Sequence, residues 1–441
     1  MTARPTKSIL SSISQPELHL SRSSPLKQAS VSDQEPTAAT SQGPSRRFLI
    51  IGYAAVVFLY WMALYLYAPT LPTYAKTKTA DLALVGVILS MYGFWQMVIR
   101  LPVGIAADWL GRRKPFIIGG LILVGAGAAV MGLARGWEGL LIGRAITGLS
   151  AATWVPLVVI FTALFPPGEA VKASALLTLV GLVGQVVATS ATGWLNGRGG
   201  YSLAFYLAAG VAVLEVALVI PLREVRPAGY SPRRPSASSV KRLITRRDVL
   251  LPSLLGAVAQ FANWATTFGF LPILAQGLAA SDVQIGMLVS LDLVCMTLGS
   301  LTANATAGRI SGRRLVYASF AILAAGATGT AMSQSLPLLF AAQALIGLGT
   351  GISYSVLMGM SIEYVVDSER TTAMGLHQSV YAAGMFAGPW LGGLLASTMG
   401  VRPMFAVTAV ATLTLGLVGT SLLRGRPASS TLSPVPEQLQ G

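Results

Sequence analysis

The chain has 441 residues, 53% of them hydrophobic and only 11% charged, where a soluble domain carries roughly a quarter charged residues. That composition excludes an ordinary soluble enzyme. A net charge of +15 would suggest nucleic acid in a soluble chain, but here the basic residues track the loops between apolar runs, so the charge reads as membrane topology and no nucleic-acid partner is expected.

Residues 1–46 form a tail rich in Ser, Pro, Thr and Gln. It has no apolar stretch long enough for a signal peptide, reads as disordered, and leaves His19 in solvent. Twelve apolar stretches follow, each near the roughly 20 residues that a bilayer requires. They are predicted at 48–68, 83–106, 115–134, 138–163, 172–195 and 201–222, then at 249–271, 284–306, 316–333, 337–362, 372–396 and 403–423. A basic linker at 223–247 is too polar to span. It separates a six-helix bundle at 47–222 from another at 248–423, and a polar tail begins at 424. Of the 31 Lys and Arg residues, 24 fall on one side of this pattern and 5 on the other, with Arg100 and Arg144 inside spans. The basic side is retained in the cytoplasm, which predicts a plasma (inner) membrane protein with both termini cytoplasmic.

Between the second and third spans stands Gly104-Ile-Ala-Ala-Asp108-Trp-Leu-Gly111-Arg112-Arg113-Lys114. Gly104 is expected to let a neighbouring helix pack close, Asp108 to sit near a helix end, and Gly111 to take the left-handed turn that stops the helix. The two halves repeat. At an offset of 200, Leu71-Pro72 matches Leu271-Pro272, Gly86 matches Gly286, Ser90 matches Ser290, Glu169 matches Glu369, Gly184 matches Gly384 and Gly193 matches Gly393. With slips of one, Gly111-Arg112-Arg113 meets Gly312-Arg313-Arg314, and Gly148-Leu149 meets Gly347-Leu348. Six helices per repeat return the chain to its starting side, so the halves should be related by an axis along the membrane normal. The single cysteine, Cys295, lies in an apolar run and excludes an intrachain disulfide or a cysteine-rich metal site.

The pattern Gly-x3-Asp-x2-Gly-Arg-Arg-Lys resembles the signature loop of the major facilitator superfamily of secondary transporters, and residues 48–423 are similar to its twelve-helix drug:proton antiporter branch. The resemblance implies an all-α integral membrane protein, with twelve transmembrane helices in two pseudo-symmetric six-helix bundles. It implies a small-molecule substrate bound near the midplane between the halves, and alternating access driven by protons. Efflux of an amphipathic solute is the expected function, with an uptake symporter or facilitative permease as the alternative. A membrane enzyme or receptor lacks support, since no His/Cys/acid cluster, nucleotide motif or extracellular domain is present. No cofactor is expected, and the protein is expected to be a monomer.

By the same resemblance, Asp108 is a cytoplasmic latch with Arg112 as its companion and Arg113 beside them. In the fourth span Arg144-x3-Gly148 resembles the family's arginine motif, and a buried cation should find an acceptor. Its reading is solute binding or biasing a proton site; Gln343 is its repeat partner. In the eleventh span Gly384-x3-Gly388-Pro389-x2-Gly392-Gly393 is similar to the family's glycine-proline motif, with glycines cutting a groove and Pro389 bending the helix. The exporters carry that motif in the fifth span, which here has no Gly-Pro pair. Intramembrane carboxyls suit proton relay, because desolvation disfavours their charged form. Asp292, near the midplane, is the first candidate; Glu215 is discounted because every third helix lies outside the bundle, and Glu363 and His377 follow. The cavity, again by resemblance, is lined by Tyr60, Trp61, Trp154, Gln260, Asn263, Trp264 and Tyr354, aromatic walls with a few amides.

Overall fold

A computed structural model describes residues 46–166, 169–224, 242–366 and 369–423. The two tails, linker residues 225–241, Asp367 and the side chain of Asp108 fall outside the described residues, so the expectations placed on them are not addressed. Among the described residues, twelve helices carry the chain back and forth. In the first half α1 is Arg46–Tyr65, continued after a turn by Leu71–Lys78, α2 is Leu82–Leu110 and α3 is Lys114–Gly132. The fourth, α4, runs Trp137–Thr162 through a single 3-10 turn, Ala151–Thr153. Next, α5 (170–198) and α6 (201–219) form one run, Ala170–Val219, whose helical path breaks at Gly199 and Gly200. The second half has α7 at Arg247–Gly277 with a π turn at Thr266–Phe270, α8 at Asp282–Thr306 and α9 at Gly312–Met332. It closes with α10 at Leu336–Ile362, α11 at Arg370–Met399 and α12 at Val401–Ser421. Each predicted span falls on one of these helices, with ends displaced by a few residues. Arg46 and Leu423 emerge on the same face, here the terminal face; the opposite one is the far face.

The helices stop where local chemistry stops them. Gly111 has φ 61°, the left-handed conformation a side chain resists, and ends α2. Gly200, at φ 65°, makes the corner between α5 and α6. Both α1 and α7 break one turn before a Leu-Pro pair, Leu71-Pro72 and Leu271-Pro272. A proline has no N–H to give and sits best in the first turn of a helix, so each pair restarts one.

Packing repeats as faithfully as the sequence. Within the halves, α1 lies on α5 as α7 lies on α11, α3 on α6 as α9 on α12, and α2 on α4 as α8 on α10. Two equivalent contacts join the halves, α2 with α11 and α8 with α5. Both are backbone-close: a Cβ added at Gly86 would lie 2.3 Å from the Pro389 carbonyl, and one at Gly286 2.4 Å from the Thr189 carbonyl. Between apolar helices in lipid, such close approach supplies the dispersion contacts that hydrophobic burial cannot. The joints at the terminal face repeat too. The Arg46 side chain donates to the Leu164 carbonyl at 2.6 Å, and Arg246 donates to the Tyr364 carbonyl at 2.9 Å. Glu169 pairs with Arg46, and Glu369 with Arg242.

The signature loop is held from a direction its own residues do not announce. The Glu224 carboxylate accepts the backbone N–H of Arg113 at 2.9 Å and that of Lys114 at 3.2 Å. It thereby satisfies donors at the start of α3 that have no partner within the helix. The Lys114 ammonium returns the favour, donating to the carbonyls of Ile220 and Leu222 just past the end of α6.

Candidate functional site

Because α1 and α7 both break near the far face, their aromatic residues turn toward each other. Tyr60 meets Trp61 edge-on at 5.4 Å, and Trp61 contacts both Trp154 at 5.2 Å and Tyr65 at 5.7 Å. The row then crosses into the other half. Tyr65 meets Phe268 at 5.9 Å, Phe268 lies 4.8 Å from Trp264, and Trp264 stacks on Tyr92 at 5.5 Å with the planes only 10° apart. On Tyr92 rests the Arg144 guanidinium, 4.4 Å from the ring centre. Tyr65, Tyr92, Trp264, Phe268 and Arg144, with Leu64 and Ala68, line a cavity of only ≈ 10 Å³, about the room of one water.

Arg144 is therefore inside, not at the interface. It is 5% exposed, its charge lies on an aromatic face, and its Nε meets no acceptor. A guanidinium tolerates such a site because its planar, weakly hydrated cation stacks on rings. The first candidate for proton relay, Asp292, is fully buried. Gln343 donates through Nε2 to the Thr267 hydroxyl at 2.6 Å, and that hydroxyl faces Asp292 Oδ1 at 3.4 Å. The remaining oxygens, Asp292 Oδ2 and Gln343 Oε1, have no donor.

A second polar contact bridges the halves near mid-membrane. Arg100 donates to the Tyr381 hydroxyl at 2.8 Å, Tyr354 and His377 lie edge-on to the Tyr381 ring, and His377 shares a hydrogen bond with Ser253 at 3.1 Å. Closer to the far face Asn196 donates to Asp282 at 2.8 Å. The named bridges between the halves thus run from mid-membrane to the far face, and that face is closed.

The other expected residues are placed as follows. Trp264 and Asn263 are buried, Trp61, Trp154 and Gln260 half-buried, and Tyr354 exposed. Tyr60 is buried and donates to the Ser150 carbonyl within its own half. Gly384 and Gly388 seat α11 on α7, where added Cβ atoms would lie 1.9 Å from the Ala257 carbonyl and 2.7 Å from that of Phe261. Pro389 is where α11 meets Gly86. Gly104 corrects its expectation, because a Cβ there would meet nothing nearer than Val155 at 3.9 Å. Arg113 and Lys114 are held by Glu224, while Arg112 lies in the α2–α3 loop beside Gly111. Glu215 also differs from its reading. Although it stands on α6, its carboxyl is turned inward and fully buried, with neither oxygen hydrogen-bonded.

Tyr92, Phe268 and Tyr381 were missed. Tyr92 was findable, since it stands 200 residues before Asp292; a search for identical repeat positions passes over it. A further cavity, of ≈ 980 Å³, opens at the terminal face within the second half, bordered by Arg246, Asp248, Asn304, Arg313 and Glu363. Among the described residues no three His, Cys, Asp or Glu side chains gather as a metal site would require.

The model of the Major Facilitator Superfamily matches residues 53–262 and 253–440. An inner membrane transport protein of Escherichia coli is 34% identical over 109 residues, which span 24% of each chain. A chloramphenicol efflux pump of Mycobacterium tuberculosis is 25% identical over 398 residues, 84% of this chain and 89% of that one. Among solved structures, a bacterial homologue of the human lysosomal transporter Spinster, in an inward-facing and occupied conformation, superposes with a TM-score of 0.72 at 16% identity. That match covers 86% of this chain and 97% of the other.

Proposed function

The chain belongs to the Major Facilitator Superfamily, and from that premise we propose that it exports a small, amphipathic organic solute by alternating access, with protons as the coupling ion. Its relatives and fold neighbours are transporters rather than enzymes. The observation that carries the proposal is the aromatic row shared by both halves around Arg144. Stacked rings offer large apolar faces at little conformational cost, and one buried cation and a few amides fix orientation, which is the make-up of an organic-solute site. The row also joins the two halves, so the same residues that would hold a solute would have to part for it to leave. The kinship to a chloramphenicol efflux pump supports export. The concentration of Lys and Arg on the terminal face supports a cytoplasmic position for it in a plasma (inner) membrane.

Asp292 is the coupling carboxyl in this reading, Arg144 its basic counterpart, and Trp61, Trp154, Gln260, Asn263, Trp264 and Tyr354 the lining. The test is thermal stabilisation of the purified protein across a library of aromatic amphipathic compounds, chloramphenicol among them, followed by transport of each stabilising compound in proteoliposomes with an imposed pH gradient. Stabilisation and gradient-driven movement are expected together. A library that yields neither overturns the proposal.

A second reading, passage of an aromatic organic anion, is favoured by Arg100 and Arg144. Their named contacts are an aromatic ring and a tyrosine hydroxyl rather than carboxylates. Stabilisation by aromatic carboxylates over their neutral amides separates the two.

A further inference from the structure

The joint that closes the terminal face of the first half is only partly rebuilt in the second. In the first half Leu222 is 2% exposed and covers Gly52 so closely that a Cβ there would lie 2.6 Å from it. The chain then brings the Glu224 carboxylate to the start of α3, while Lys114 donates to the carbonyls of Ile220 and Leu222. Cation and anion are both supplied by the protein. In the second half Arg313 plays the part of the lysine, donating from the start of α9 to the Ser421 carbonyl at 3.0 Å. No acid follows to play the part of Glu224. Beyond Leu423 the sequence runs Arg424-Gly425-Arg426, and its next acid is Glu437.

Where the first half has that closure, the second has space. The cavity of ≈ 980 Å³ is bordered there by Arg313, by Pro252 at the repeat position of Gly52, and by Leu422, which is 53% exposed. Its size is that of a site for a substantial organic ligand. Three arginines, Arg246, Arg247 and Arg313, and two acids, Asp248 and Glu363, border it. Arg246 is paired with Asp248. Among the described residues Arg247 and Arg313 form no ion pair; the contacts of Arg313 are the Ser421 carbonyl and the hydroxyl and ring of Tyr317.

The lining is also graded by depth. On α7 Leu251 stands one turn further into the membrane than Arg247, and on α10 Met360 and Val356 stand one and two turns further in than Tyr364. Cations without carboxylate partners lie at the edge of the bilayer, and apolar side chains continue inward from them. A soluble anion would satisfy the arginines and leave the apolar wall in water; a neutral lipid would do the reverse. An amphiphile with an anionic head satisfies both.

We propose that this cavity binds an anionic phospholipid of the surrounding leaflet. Arg247 and Arg313 hold its phosphate, supplying for the second half the anion that Glu224 supplies for the first, and an acyl chain lies against Leu251, Leu315, Val356, Met360 and Leu422. Guanidinium forks match phosphate oxygens in geometry and charge, and basic pockets between helices at headgroup level select anionic lipids. The site is separate from the aromatic row and independent of the solute, direction and coupling ion proposed above.

The experiment measures thermal unfolding of the purified full-length protein in neutral detergent, without solute. Dioctanoyl phosphatidylglycerol, dioctanoyl phosphatidylcholine and inorganic phosphate are titrated separately, since a ligand of the folded state raises the unfolding temperature with its concentration. Phosphatidylglycerol is expected to stabilise wild type at concentrations where the other two have no effect. Arg247→Gln combined with Arg313→Gln is expected to need about tenfold more of it, the loss expected for a charge-assisted hydrogen bond. Arg309→Gln combined with Arg314→Gln removes the same charge from exposed positions outside the lining and is expected to respond as wild type does. Gly359→Phe, at a lining position where an added Cβ meets nothing within 4 Å, is expected to abolish the response with every arginine in place. Should the Arg313 variant not fold, Arg247→Gln and Gly359→Phe decide. Equal stabilisation by phosphatidylcholine, the full effect from inorganic phosphate alone, an equal loss in the Arg309 and Arg314 variant, or no loss in the cavity variants overturns the site.

Discussion

At the scale of single residues, the buried charges carry the strongest expectations. Asp292 is the carboxyl nearest the middle of the bilayer whose helix packs on both halves, through α10 and α5. Asp292→Asn should abolish accumulation driven by a pH gradient yet spare downhill exchange, because the solute's own contacts remain. Counterflow and gradient-driven uptake in the same vesicles measure both, and surviving accumulation would move coupling to Glu215, His377 or Glu363. Arg144→Ala removes a guanidinium seated on Tyr92. It should weaken solute binding about 10- to 100-fold, the equivalent of about 1.4–2.7 kcal/mol and in the range of a desolvated cation–π contact with its hydrogen bonds. Titration of solute-induced stabilisation reads this directly; an unchanged midpoint would assign Arg144 to structure alone. Neither expectation was available from propensity. A buried arginine and a lipid-facing one look alike in sequence until the neighbouring helix shows which way the side chain turns.

Among elements, the glycines of α11 and α2 separate two kinds of small residue. Gly384 has the Ala257 carbonyl where its Cβ would go, so Gly384→Val must push α11 away from α7. Overpacking of this kind costs about 1–3 kcal/mol, and a lowered unfolding temperature should show it. Gly104 has open space around it here, so Gly104→Val should leave the unfolding temperature within a degree or two, the effect of a surface change of about 0.5 kcal/mol. If Gly104 serves closure of the terminal face, as the signature loop implies, transport by this variant should nonetheless fall. Intact transport would remove Gly104 from the gating set. Both glycines are marked in sequence as places of close helix approach, and only the distance to the facing backbone distinguishes them.

For the whole molecule, closure at the far face is the testable state. Asn196 and Asp282 bridge α5 and α8 near that face, and transport requires them to separate. Cysteines at both positions, joined by a short thiol crosslinker, should stop solute movement, and a cleavable crosslinker should restore it on reduction. Cys295 is buried and reacts slowly by comparison. Transport that persists through the crosslink would mean that α5 and α8 stay together throughout the cycle. The pairing of α2 with α11 mirrors that of α5 with α8.

The sequence by itself determined the number of spans, their order and their duplication. Apolar length, basic loops and identities at a constant offset are local or periodic properties, and a bilayer leaves the backbone few alternatives to the helix. It also marked Arg144, Asp292 and the glycines of α11 by type and depth. Tertiary structure alone decided which way each marked side chain faces. It put Glu215 inside a helix expected to be peripheral, turned Tyr60 into its own half, and docked the signature loop on Glu224 from the end of α6. It set Tyr92 under Arg144 and Thr267 between Gln343 and Asp292. Helix rotation about its axis is settled by the sum of many weak contacts with neighbours distant in the chain. In lipid no solvent-facing polar stripe is required to announce it, so it could not be read from one helix at a time.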